Sequence, residues 1–142
     1  MSDESPTGFI DILRLSPSAR YAFQGMSFLA QKPVGQFVLV EEVAAAGQLP
    51  KDFLAKIFQK LAHRGFLTAR RGPGGGYALA RPADEITLID ILRTIEDTSP
   101  KEKCLMEQRS CNSTHPCALH EEAMKARAIL VDALERVRLS QL

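Results

Sequence analysis

Residues 71–77 read Arg-Gly-Pro-Gly-Gly-Gly-Tyr, so four of the chain's nine glycines and one proline fall within five consecutive positions. No helix crosses such a run, because glycine costs about 1 kcal/mol and proline about 3 kcal/mol in a helix interior. A strand interior tolerates it no better. A turn remains, and its flanks say which kind. Phe66-Leu67-Thr68-Ala69-Arg70 and Tyr77-Ala78-Leu79-Ala80 are strand-like, which predicts a hairpin with a glycine-rich tip. Glycines supply positive φ and let the backbone approach a partner closely, and Arg70 and Arg71 stand beside the turn. A tip of this kind can reach phosphates or a minor groove. A phosphate-binding loop would need Lys-Ser/Thr and a following helix, and this run has neither.

Upstream of the hairpin the pattern is helical. Ser16-Pro17 reads as a helix start, with Ala19, Ala22, Phe23, Met26, Leu29 and Ala30 on one face and Pro33 with Gly35 as the stop. A short apolar piece, Phe37 to Val40, leads into a small helix that Gly47 ends. Pro50 opens a stronger one, in which Phe53, Leu54, Ile57, Phe58 and Leu61 share a face while Lys51, Lys56, Gln59, Lys60 and His63 project elsewhere, and Gly65 closes it. Two helices joined tightly, the second with a basic and amide-bearing outer face, are the parts of a helix-turn-helix. After Arg81-Pro82, Thr87 caps a helix through Leu88, Ile91, Leu92 and Ile95. From Ala118 a helical pattern runs to Leu142. Leu119, Ala123, Ala126, Leu130, Ala133 and Val137 form a heptad seam that Ile129 and Leu134 widen. A domain this small has little core to cover such a seam, so a symmetric dimer is expected, with packing back on its own domain as the alternative.

Charge supports a nucleic-acid partner. Residues 1–81 carry ten basic side chains against six acidic ones, +4, which leaves −3 for residues 82–142 of a chain whose net charge is +1. Between Lys51 and Arg81 seven basic residues face Asp52 alone. Such a cluster on one helix and one hairpin is a better nucleic-acid signal than the overall charge, although a solvated basic face would look the same. Lys51, Lys56 and Lys60 are expected on phosphates and Gln59 on a base edge, since an amide can pair with adenine. Hydrophobic content of 45% and a length of 142 residues fit one ordinary globular domain. No apolar run suits a membrane helix, and the polar first residues do not resemble a secretory signal, so a cytoplasmic location is expected.

All three cysteines and two of the three histidines lie between Cys104 and His120, as Cys-x6-Cys-x5-Cys-x2-His. An odd number of thiols in a polar, turn-rich stretch argues against both a disulfide framework and plain core packing. Thiolates with imidazole can close on one metal or cluster. Zinc or a thiol switch would use the same residues, although intervals of six and five are wide for a zinc knuckle. An enzyme built on Cys117 and His120 would lack an orienting group and a pocket, and a pure protein-interaction module would leave the basic cluster without a use.

The motifs Leu15-Ser16, Arg20-Tyr21-Ala22, Leu61 with Gly65-Phe66-Leu67, Arg71 to Tyr77, Ala80-Arg81-Pro82, Glu85-Ile86-Thr87-Leu88 and the three cysteines together resemble the Rrf2 family of bacterial winged helix-turn-helix regulators, from about Leu13 onward. The resemblance implies a mainly α fold with a small β-hairpin wing. It implies a flexible tail over 1–12, a winged helix-turn-helix domain over 13–82, and residues 83–142 as linker helix, cysteine loop (97–118) and dimerisation helix (118–142). It implies a non-enzymatic dimeric repressor on a palindromic operator, with DNA contacts at Arg20, Lys51, Lys56, Gln59, Lys60, Arg70, Arg71 and Gly74. An iron–sulfur cluster is implied on Cys104, Cys111 and Cys117, sensing iron, redox state or nitric oxide. His120 stands where the family's 2Fe-2S members carry a histidine ligand. A 4Fe-4S cluster would draw a fourth ligand from water, a small thiol, Glu107 or His115. Arg20 occupies the position at which nitric-oxide-sensing members place an acidic ligand, and Ala55 replaces a glutamate that restricts operator choice in iron–sulfur members.

Overall fold

The computed structural model describes residues 15–95, 112 and 114–142, and holds α1 (Pro17–Ala30), α2 (Val40–Gly47), α3 (Lys51–His63), β1 (Leu67–Arg70), β2 (Gly76–Leu79), α4 (Leu88–Ile95) and α5 (His120–Arg136). Short 3₁₀ turns occupy Ala83–Glu85 and Leu139–Gln141.

Local chemistry sets most of these boundaries. Ser16 caps α1 by accepting the Ala19 N–H at 3.2 Å, with Pro17 in the first turn, where its missing N–H is no loss. Gln48, at φ 54°, turns the chain out of α2 in the left-handed region, and Gly65, at φ 85°, does so after α3. At α4, Thr87 and Asp90 exchange side-chain to backbone hydrogen bonds at 3.2 Å each way, a reciprocal cap.

The core forms where α1 and α3 cross. Ala22, Met26 and Leu29 of α1 meet Leu54, Phe58 and Leu61 of α3, and Ile86, Ile91 and Leu139 complete the cluster. Burying each of the larger side chains contributes about 1.5–3 kcal/mol before conformational entropy is charged against it. Gly25 lets the two helices approach, since a Cβ there would sit 2.9 Å from the Phe58 ring. Phe53 departs from the expected face. It is 41% exposed, at the margin of the α3 apolar arc, and meets Tyr21 edge-on at 5.7 Å.

β1 and β2 pair antiparallel, with Leu67 opposite Leu79 and Arg70 opposite Gly76. Val38 pairs with β2 as well, through Val38 N–H to Tyr77 O at 2.9 Å and Tyr77 N–H to Val38 O at 2.8 Å. Gly76 makes that pairing possible: its φ is 123°, and any Cβ would collide with the Val38 carbonyl.

The helix expected to run through Leu142 ends at Arg136. Val137 is extended, the Leu88 N–H donates to Val137 O at 3.1 Å, and the Leu139 N–H donates to Ile86 O at 2.8 Å. Leu139 is buried with α1 nearby. Long-range strand-like pairing and one buried leucine thus outweigh continuation of the helix. α5 itself buries none of its 17 residues fully. Leu134, with Val137 just beyond the helix, packs against the core, whereas Ile129 is 70% exposed.

Candidate nucleic-acid interface and thiol–imidazole site

α3 buries Leu54, Ile57, Phe58 and Leu61 and turns Asp52, Lys56, Gln59, Lys60 and His63 outward. Two shallow grooves flank that outer face. One is lined by Lys56, Gln59, Lys60, His63 and Arg64 together with Thr94 of α4. The other lies between α3 and the hairpin and is lined by Gln59, His63, Thr68, Ala69 and Tyr77 among others. Gln59 and His63 border both grooves, so they sit on the crest of the helix. Lys56, Gln59 and Lys60 are therefore brought together as expected of a recognition helix, and His63, Arg64 and Thr68 join them. Helical spacing from Lys56 and Lys60 points to His63 and Arg64; Thr68 depends on how the hairpin packs.

Other expected contacts are placed differently. Lys51 pairs with Glu41 of α2 at 3.2 Å. The Glu41 carboxyl is held below its ordinary range, first by a backbone N–H and then by Lys51. Arg70, at the turn end of β1, lies with its guanidinium 4.0 Å from the centre of the Phe37 ring, a cation–π contact. Arg71 and Gly74 are exposed at the wing tip, where Gly72 and Gly74 both have positive φ and the Gly75 N–H donates to Gly72 O at 2.9 Å. Arg20 is exposed on α1. None of Arg20, Lys51, Arg70, Arg71 or Gly74 lines either groove.

Of the expected cluster ligands, Cys104 and Cys111 lie outside the described residues. Cys117 and His120 are both half-buried, and the His120 N–H donates to Cys117 O at 3.1 Å, so the two side chains flank the turn that starts α5. Nearby, Asn112 Oδ1 accepts the N–H groups of Thr114 and His115 at 2.8 Å each, and His115 is exposed. No group of three or more potential metal ligands converges among the described residues. The donor chemistry of Cys117 and His120 nevertheless fits a thiolate–imidazole corner of a cluster or zinc site.

A helix-turn-helix braced by a basic hairpin, with a crest of cationic and amide side chains, defines a winged-helix DNA-binding regulator. Residues 15–142 match the family described as Rrf2, iron-dependent transcriptional regulator, and the chain belongs to that family. It is 35% identical over 109 residues to an HTH-type transcriptional regulator of Aquifex aeolicus, covering 75% of each. It is 39% identical over 88 residues to the HTH-type transcriptional regulator IscR of Cereibacter sphaeroides, covering 61% of this chain and 57% of that one. Among solved structures, Staphylococcus aureus CymR in its oxidized form superposes with a TM-score of 0.71 at 25% identity, covering 90% of this chain and 94% of that one. The fold of T. potens IscR is likewise similar, with a TM-score of 0.69 at 24% identity over 96% of this chain and 87% of that one. These relatives are transcriptional regulators, not enzymes. No helix among the described residues is long and apolar enough to cross a membrane.

Proposed function

We propose that this Rrf2-family regulator is a cytoplasmic homodimeric repressor, whose hold on a palindromic operator depends on an iron–sulfur cluster bound by Cys104, Cys111, Cys117 and His120. The observation that carries the reading is α5. It starts on a half-buried Cys117–His120 corner, and Leu119, Ile129 and Leu130 are 41%, 70% and 39% exposed along it. A thiol–imidazole corner joined to an uncovered apolar helix suits a sensor built into a dimer seam. The bound cluster would supply a group whose oxidation state and integrity respond to iron, oxidants or nitric oxide.

The chain's own residues give a route to the DNA. α4 and α5 are fastened side by side by Leu134, by Arg93–Glu135 at 3.5 Å, and by the Leu88–Val137 hydrogen bond. Thr94 shares a groove with Lys60 and Arg64 of α3, and α4 ends one residue later. α4 therefore ends beside the recognition helix. A shift in where α5 begins relative to where α4 ends is felt at Lys60 and Arg64. A coupling of about 1–3 kcal/mol would change operator affinity roughly 5- to 150-fold.

The test is visible absorption and EPR of protein purified without oxygen, with iron and acid-labile sulfide counted per monomer, repeated for His120→Ala. About two irons and two sulfides, with a spectrum altered by the substitution, is the expected result. About four irons, indifferent to His120, would replace it with a 4Fe-4S sensor. Colourless protein that takes up no cluster on reconstitution would leave a zinc or thiol switch at the same cysteines. The likeness to oxidized CymR favours the thiol switch as the second reading.

A further inference from the structure

Asp52 is the one acidic side chain between Lys51 and Arg81, and it stands in the first turn of α3. With Lys56, Gln59 and His63 it follows steps of four, three and four residues, so the four form a single row opposite the buried Leu54, Phe58 and Leu61. All four are exposed. The adjacent Lys51 turns away to Glu41 at 3.2 Å, and no cation among the described residues pairs with Asp52. The N-terminal part of a recognition helix is the part that contacts base edges, so this row presents a lone carboxylate where bases are read.

An ionised carboxylate only accepts hydrogen bonds. In the major groove guanine offers two acceptors, thymine an acceptor and a methyl group, and adenine a donor beside the acceptor N7, whereas cytosine offers the N4 donor alone. A phosphate would repel the carboxylate outright. Resting on the DNA-binding reading above, we propose that Asp52 is a specificity-determining residue, which selects a cytosine in each operator half-site through the N4 amino group. Gln59 lies seven residues further along, about 10 Å at 1.5 Å per residue, and so reads a different base pair.

The experiment selects bound duplexes from a pool randomised over two helical turns, using the full chain purified without oxygen, and repeats the selection with Asp52→Ala, Asp52→Asn and Gln59→Ala. For the unaltered protein the expected pattern holds a cytosine in each half-site, whose change to guanine weakens binding about 5- to 150-fold. Asp52→Ala should erase that preference and raise affinity for arbitrary duplex. Asp52→Asn should move it towards adenine, since an amide pairs with N6 and N7. Gln59→Ala should relax a separate position. A carboxylate that merely favours the helix N-terminus would leave all base preferences in place. An Asp52→Ala pattern identical to that of the unaltered protein overturns the inference while leaving DNA recognition intact. Enrichment of no sequence by the unaltered protein would overturn both.

Discussion

At the scale of single residues, Tyr77 carries two duties through two parts of itself. Its backbone forms both hydrogen bonds to Val38, while its ring meets Phe58 at 5.3 Å and borders the groove between α3 and the hairpin. Burial disfavours the phenolate and pushes the Tyr77 hydroxyl above its ordinary value of 10.0. As pH rises past about 10 the unfolded chain gives up this proton before the folded one does. The contribution to stability is therefore whole below about pH 10 and declines as pH climbs through the higher folded-state value. Urea unfolding between pH 8 and about 11 should show a steeper alkaline loss of stability for the unaltered protein than for Tyr77→Phe. Parallel curves would assign the alkaline sensitivity to other groups. Residues also mark where sequence reading stopped. The ion pair of Lys51 with Glu41 was one such point, since Glu41 is ten positions earlier and only the turn between α2 and α3 brings them together. Arg70 looks available until Phe37, far away in sequence, is found beneath it.

Among the elements, the packing of α1 on α3 fixes how the recognition helix is presented. Gly25→Ala would gain about 1 kcal/mol in helix propensity. Its new Cβ would press on the fully buried Phe58 ring and on Leu54, an overpacking cost of about 1–3 kcal/mol. Denaturant titration should show net destabilisation, with the effect much reduced in a Phe58→Leu background; equal losses in both backgrounds would show that the contact does not limit the helix approach. The elements were the most legible level of this protein. Ser16-Pro17, Pro50, Gly65, the glycine run and Thr87 with Asp90 are local signals, and each boundary they predict is found within a residue or so. The end of α5 was not legible, because Leu88, Ile86 and Leu139 decide it across about fifty residues of chain. Phe53 was misjudged for a related reason: periodicity gives the centre of an apolar arc better than its edges.

For the whole molecule, the dimer proposed above would cover the unburied length of α5, where Ile129 and Leu130 are exposed. Replacing both with glutamate would place charges in the seam and weaken self-association by about 3 kcal/mol or more. Sedimentation should then show the double variant at half the mass of the unaltered protein, still helical by circular dichroism, since neither side chain is needed by the core of one chain. An unchanged mass would move the dimer contact elsewhere or remove it. The apolar stripe of α5 could be read from heptad spacing, but which part of it packs on the chain's own core could not. Leu134 and Val137 serve the chain's own core, while Ile129 and Leu130 on the earlier turns stay exposed. The pairing of Thr87 with Arg138 has an architectural consequence. Because the chain comes home to the DNA-reading unit after α5, α4 and α5 are clasped where the first begins and the second ends. Severing the chain after Ile95 would therefore take Leu139, a piece of the foundation, away with α5.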